Sequence, residues 1–285
     1  MVYQNTNLRL FAAFAAAILI FSGCSVRMRV CPGRESAAES LSVLRLQGEN
    51  AVQFKASGSC LLQYYAADKK TKKENFPVKL WVNPPAEIYV QGDVAFDPKG
   101  IVFGSNEGQF WLAIKLKEIS SYWWGAYTRQ SSFEKLMINP RLVLEALGLV
   151  ALQDEQGWSL SNQGAFDVLT KQQAGVKTGK IYINNCDYLV RKIEYFDVNG
   201  SKAAVVEVDK YKKISENFFV PRTVKITNPA AERAGDCISV SFNLESAKPA
   251  DFTQKLRNRI FNRLKPEGFR HIYKIVNGKI IEQPK

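Results

Sequence analysis

The sequence predicts a mainly β protein with some α structure: a single curved antiparallel sheet, a half-barrel of about 10–11 strands, lidded by a few helices. Three observations lead to this prediction. Apolar and polar residues alternate along many short segments, and brief turns rich in Gly, Pro, Asn and Asp join them. Only a few segments show a helical period. Because so few helices cannot cover an apolar sheet face, the sheet must curl on itself around a concave apolar interior.

The first half begins with a helix over residues 36–47, because Ser36 and Glu39 form a capping-box pattern and Gly48 supplies a stop. From residue 52 to 64 the apolar period changes to two, which is typical of a half-buried strand. A second strand ends at Pro84-Pro85. Short alternating segments continue this antiparallel meander at residues 87–91, 93–96, 101–103 and 110–116.

The second half starts with an aromatic segment that has no clean period and contains Tyr122, Trp123 and Trp124. Asn139-Pro140 then begins a helix with almost no polar face. Strands resume after Trp158, and Asn199-Gly200 forms a hairpin turn between two of them. The later strands occupy residues 180–183, 188–197, 204–208, 218–226 and 238–244.

The N-terminus carries an export signal. An apolar run from Phe11 to Phe21 follows Arg9 and is too short to span a bilayer, which needs about 20 residues. Ser22-Gly23-Cys24 resembles the lipobox of bacterial lipoproteins, and this resemblance implies removal of residues 1–23 and lipidation of Cys24. Residues 24–35 then form a tether. The alternative is an ordinary secretory signal that is cut elsewhere, with Cys24 incidental.

Four further cysteines remain: Cys31, Cys60, Cys186 and Cys237. An even number in an exported chain predicts two disulfides, for which three pairings exist. We favour Cys31 with Cys60 and Cys186 with Cys237, since each pair lies within one half of the chain. Buried free thiols are the alternative.

The C-terminal segment, residues 253–285, holds most of the net positive charge. The chain has a net charge of +12, and from Gln254 onwards nine Lys or Arg residues face two Glu residues. Outside the cytosol nucleic acid is not the expected partner, so for an exported protein this charge favours anionic lipid headgroups. An apolar stripe recurs every four residues, and four cations surround it as membrane-surface candidates: Lys255, Arg257, Arg259 and Arg263. The alternative is that the stripe of Phe252, Leu256, Ile260 and Leu264 docks against the sheet.

The segment from Tyr188 to Thr227 resembles the bacterial lipoprotein-localisation proteins LolA and LolB and their lipoprotein relatives. The similarity lies in Asp197-Val-Asn-Gly200, Tyr211-Lys-Lys-Ile214 and Phe219-Val-Pro221, and Leu80 to Leu116 resembles the LolB side of the family. The resemblance implies a helix-lidded half-barrel with an acyl-chain cavity over residues 36–252. No segment matches the exposed apolar tip of LolB.

The inward positions of the predicted strands are the candidate lining of such a cavity. An ordinary packed core is the alternative role for the same residues. The candidate lining residues are Phe54, Leu62, Leu80, Phe110, Leu112, Ile114, Val206, Val224, Val240 and Phe242. The candidate lid residues are Tyr122, Trp123, Trp124, Leu142, Leu144 and Leu147.

Catalytic signals are weak, and we expect neither an enzyme nor a metal or other cofactor. The single histidine, His271, lies in the C-terminal segment, and Gly175 to Gly179 has the wrong spacing for a phosphate loop. We therefore predict a monomeric, lipid-anchored envelope protein that binds acyl chains of lipids or lipoproteins. Ser25 after the anchor implies, by the bacterial sorting rule, the periplasmic side of the outer membrane. A structural lipoprotein with a filled barrel is the alternative.

Overall fold

The computed structural model describes residues 31–66, 68–94, 97–116, 119–127, 139–149, 156–232, 236–276 and 279–284. The predicted export signal and Cys24 lie outside these residues. The described helices are α1 (Ala37–Glu49), α2 (Pro140–Ala146) and α3 (Gln254–Ile260). The described strands are β1 (Phe54–Tyr65), β2 (Thr71–Asn83), β3 (Glu87–Val94), β4 (Asp97–Ser105), β5 (Gln109–Ile114), β6 (Ser121–Ala126), β7 (Trp158–Gln163), β8 (Phe166–Gln173), β9 (Val176–Asn184), β10 (Val190–Phe196), β11 (Lys202–Ser215), β12 (Phe218–Thr227), β13 (Cys237–Pro249), β14 (His271–Val276) and β15 (Lys279–Glu282).

These strands form one curved, unclosed sheet in the order β15-β14-β6-β5-β4-β3-β2-β1-β13-β12-β11-β10-β9-β8-β7. Two meanders, β1 to β6 and β7 to β13, join where β1 pairs with β13. Neighbours are antiparallel except β14, which pairs in parallel with β6. The predicted fold class is confirmed, although the sheet has more strands than predicted.

One face of the sheet carries the main core. Phe103 on β4 and Phe242 on β13 are separated by three strands in the sheet, yet their ring centroids lie 6.2 Å apart. The sheet therefore curls around this face, which we call the concave core. Helices α1 and α2 pack against it through Leu41 and Leu144.

The caps of the two helices agree with the sequence analysis. The Ser36 hydroxyl accepts a hydrogen bond from the backbone N–H of Glu39 at 3.2 Å, and α1 begins directly after Ser36, at Ala37. The Asn139 side chain accepts one from the backbone N–H of Arg141 at 3.0 Å, with Pro140 as the first residue of α2. Both caps satisfy backbone donors that a helix start otherwise leaves without partners.

The opposite, convex face carries a second core, which we call the tail cluster. The buried residues of this cluster are Tyr89, Val102, Trp111, Ala113, Tyr122, Phe252, Ile260 and Phe261. Its last three members belong to α3 and its flanks. The chain beyond residue 253, which the sequence analysis separates from the half-barrel, thus supplies a helix and two strands of the same sheet.

The aromatic segment predicted to act as a lid is instead strand β6. Tyr122 and Trp124 pack in the tail cluster, whereas Trp123 packs against the concave core, so successive side chains point to opposite faces. The segment shows no clean period because both faces of this strand meet apolar surroundings. The lid assignment of Tyr122, Trp123 and Trp124 is therefore wrong.

The preferred disulfide pairings, Cys31 with Cys60 and Cys186 with Cys237, are also wrong. Cys60 and Cys237 are buried free thiols, whereas Cys31 and Cys186 are disulfide-bonded. Cys60 lies opposite Phe242 in the β1–β13 ladder, and Cys237 lies opposite Tyr64. Both side chains point inward and pack in the concave core. The position of a cysteine in one half of the chain does not predict this register, so it is a poor basis for pairing the cysteines.

Candidate functional site: the concave core beneath α2

The concave core brings together nine of the ten candidate lining residues. Each of the nine is exposed by 2% or less. The exception is Phe110, which belongs to a separate small cluster with Ile275 and Tyr127, so its assignment to the same lining is wrong. The strand alternation predicts which face these residues occupy. It does not predict that Phe110, near the start of β5, packs in a different cluster from Leu112 and Ile114 of the same strand.

Helix α2 is a seven-residue apolar cover over this core. Leu144 and Leu147 are buried in it, and Leu142 packs against it from a half-buried position. These three lid candidates thus lie where the sequence analysis placed them. A helix this short has little stability of its own, since isolated helices below about 12–15 residues are marginal in water. Its position therefore depends on contacts with the sheet.

A polar contact, which we call the α2 latch, fastens the helix to β10. The hydroxyl of Tyr195 donates to a carboxylate oxygen of Glu145, and Arg141 Nε donates to the other oxygen of Glu145 at 2.9 Å. Burial, followed by the nearby charge of Glu145, raises the pKa of Tyr195 well above 10, so the phenol keeps its proton and remains a donor. Sequence analysis missed this latch, although Arg141 and Glu145 are charged residues in an otherwise apolar helix.

The described residues around the core offer apolar contact rather than reactive groups. Burial raises the pKa of the Cys237 thiol to about 12 and raises that of Cys60 as well, so neither thiol ionises near neutral pH. No cluster of metal-binding side chains occurs among the described residues. His271 lies on β14, next to the edge strand β15, and its Nδ1 is 2.8 Å from Oε1 of Glu282 on that strand. No described helix is both long enough and apolar enough to cross a bilayer.

The C-terminal stripe docks on the convex face, as in the second alternative of the sequence analysis. Arg257 pairs with Glu87 at 3.0 Å, and the Arg263 guanidinium lies 4.0 Å from the ring centroid of Trp124. Of the four cations assigned to a membrane surface, only Lys255 and Arg259 are exposed. The apolar stripe is therefore committed to the sheet in this conformation.

No protein-family model matches the sequence, and a search of curated proteins finds no match. Solved structures do match. A putative outer membrane lipoprotein-sorting protein domain from Vibrio parahaemolyticus is 12% identical, with a TM-score of 0.51, and the match covers 79% of this chain and 99% of that one. The chain has a LolA/LolB-like fold.

Two further similar structures have lower TM-scores. A LolA superfamily protein from Nitrosomonas europaea is 11% identical, with a TM-score of 0.47, and the match covers 81% of this chain and 99% of that one. A DUF1329 family protein from Desulfovibrio piger is 10% identical, also with a TM-score of 0.47, over 79% of this chain and 97% of that one. At these identities the LolA/LolB-like likeness concerns the fold alone.

Proposed function

We propose that this protein is an exported, lipid-anchored carrier that binds acyl chains of lipids or lipoproteins between the concave core and α2. One observation carries the proposal: part of the apolar face of an unclosed sheet is covered by the short helix α2, which the α2 latch fastens to β10. The LolA/LolB-like fold supports the proposal because it is shared with a protein named for lipoprotein sorting.

Binding would exchange α2 contacts for acyl-chain contacts. Burying one methylene gains about 0.8 kcal/mol, so a dozen methylenes gain on the order of 10 kcal/mol before ordering costs. The lining side chains are buried in this conformation. An acyl chain therefore enters only when α2 moves away, and the return of α2 releases it.

The test of this function is lipid occupancy of the full chain. We expect lipid to co-purify with it, detectable by mass spectrometry after solvent extraction, and a fluorescent fatty acid to bind saturably. The absence of both would contradict a carrier.

A structural lipoprotein with a filled barrel is the second candidate. The burial of all ten lining candidates favours it, since each is exposed by 2% or less. The same experiment separates the two functions, because a filled barrel binds no fatty acid at any concentration and co-purifies without lipid.

The anchor belongs to the same proposal. Residues 1–23 are the signal peptide, Cys24 carries the acyl chains, and Ser25 after it directs the protein to the periplasmic face of the outer membrane. A single acyl chain binds a membrane only weakly and reversibly, whereas two or more chains on Cys24 give stable attachment. Labelling with an alkyne fatty acid in cells tests this: Cys24→Ala loses the label, whereas Cys60→Ser keeps it. Label retained in Cys24→Ala would contradict lipidation at that residue.

A further inference from the structure

The convex face next to the docked tail carries two lysines in an unfavourable arrangement. Lys55 on β1 lies directly opposite Lys248 on β13, and both side chains are exposed. Directly opposite residues in an antiparallel pair have Cβ atoms about 4.5–5.5 Å apart, and like charges there are destabilising. An anion bound between the two ammonium groups would remove this repulsion.

The two lysines have no acidic partner within the described part of the chain. Lys55 Nζ lies 5.7 Å from the ring centroid of Phe252. Along the chain, Glu245 and Asp251 are the acids nearest to Lys248, and Glu49 is the acid nearest to Lys55. None of these acids forms an ion pair with either lysine in the described residues. This contrasts with Arg257 of the tail, which Glu87 neutralises.

Further donors continue the same surface. Ser57 lies opposite Ser246 on one side and opposite Lys79 on the other. These residues are two positions along the strands from the lysine pair, about 6.6 Å away. Lys79 is exposed and is close enough to Asp93 to help lower the pKa of that carboxyl, which hydrogen bonding from Gln91 lowers most. Ammonium and hydroxyl groups in this number suit phosphate oxygens.

We propose that this lysine patch, formed by Lys55, Lys79, Lys248, Ser57 and Ser246, docks on the phosphate headgroups of an anionic lipid membrane. The donors lie across three neighbouring strands on the outside of the sheet rather than around a cavity, which fits an array of headgroups. Lys255 and Arg259 of α3 are exposed cations as well. The charge complementarity is with the membrane and does not depend on acyl binding.

The contact is electrostatic, because the apolar stripe of the tail is already buried in the tail cluster. Each Lys or Arg close to an anionic membrane surface contributes about 1 kcal/mol, and the attraction fades within a Debye length. Salt therefore releases the patch, whereas insertion of an apolar helix would resist salt.

Lysine reactivity tests the proposal with the full chain. The protein is reconstituted with vesicles of phosphatidylcholine, or of phosphatidylcholine and phosphatidylglycerol in equal amounts, and an amine-reactive ester is added. We expect the labelling rates of Lys55 and Lys248 to fall about five-fold on the anionic vesicles and to recover at high salt. Lys213, exposed on β11, serves as the reference and keeps its rate.

Three outcomes overturn the proposal. The first is that Lys55 and Lys248 are labelled at the same rates on neutral and anionic vesicles. The second is that the labelling rate of Lys213 falls as much as theirs on the anionic vesicles. The third is that inorganic phosphate protects Lys55 and Lys248 equally well on neutral vesicles, which would indicate a site for soluble phosphate. A charge-matched pair of variants gives a second readout through Lys79. In K55Q/K248Q the protection of Lys79 disappears, whereas in K210Q/K213Q it remains. Protection of Lys79 that survives in K55Q/K248Q also overturns the proposal.

Discussion

Glu194 is a buried carboxylate that two lysines and a tyrosine hydroxyl surround. It is 4% exposed, and its carboxylate lies 3.3 Å from Lys192 Nζ and 3.0 Å from Lys202 Nζ. The Tyr182 hydroxyl donates to it at 3.1 Å. Burial alone would raise the pKa of Glu194, but the hydrogen bonds from Lys202, Lys192 and Tyr182 outweigh burial and hold the pKa below its ordinary 4.5.

A lowered carboxyl pKa stabilises the fold above the ordinary pKa, and this share is lost as pH falls through the folded-state value. Replacing Glu194 with Gln should therefore lower the free energy of unfolding at neutral pH by about 1–3 kcal/mol and flatten its decline in acid. Urea unfolding at neutral and acidic pH measures both effects. Glu207→Gln is the control, because its exposed pair with Lys225 contributes under about 1 kcal/mol. Equal losses in the two variants would contradict this view of Glu194.

The two buried free thiols, Cys60 and Cys237, should react slowly with alkylating reagents in the native protein. Because alkylation proceeds through the thiolate and burial raises both thiol pKa values, native Cys60 and Cys237 should resist iodoacetamide at about pH 8. In urea without reductant, both should be modified, as peptide mapping will show. Cys31 and Cys186 should need reductant as well, since they are disulfide-bonded. Rapid native labelling of Cys60 or Cys237 would contradict their burial.

Among the elements, α3 holds the C-terminal segment on the convex face. Phe261 just after it is 2% exposed and meets Phe252 edge to face, with ring centroids 5.7 Å apart. Phe261→Ala should lower the free energy of unfolding by about 3–5 kcal/mol, measured by urea denaturation. The exposed neighbour variant Arg259→Ala should change it by less than about 0.5 kcal/mol. A loss at Phe261 no larger than this control would mean that the tail does not depend on the tail cluster.

The elements also show what local patterns can predict. Strand β1 was predictable because one of its faces is polar, so Phe54, Ala56 and Leu62 alternate with polar neighbours. Strand β6 was not, since Trp123 and Tyr122 are both buried, on opposite faces. The stripe of α3 was visible in the sequence, but its partner surface depends on Trp111 and Tyr89, which lie far away in the chain. The α2 latch likewise joins residues 50 positions apart.

At the scale of the whole molecule, a curled sheet held by hydrogen-bonded strand pairs carries a short helical cover, α2, on its concave face. The nearness of Phe103 to Phe242 depends on cumulative twist and curl across the strands, so no single segment predicts it. Alternation predicts the apolar face, and the small number of helices predicts its incomplete cover. The buried side chains of α2, among them Leu144 and Leu147, and the Glu145–Tyr195 contact together hold this cover in place.

Loosening this contact should therefore speed the uptake of an acyl chain. Tyr195→Phe removes the hydroxyl that donates to Glu145 but keeps the ring in the core, and we expect lower stability by about 1 kcal/mol and about ten-fold faster association of a fluorescent fatty acid. Stopped-flow fluorescence with the full chain measures the rate. Tyr211→Phe is the matched control, because its hydroxyl bonds the backbone oxygen of Val190 at 2.7 Å and not α2. It should lose similar stability without faster uptake. Equal rates in the two variants would show that α2 does not gate the concave core.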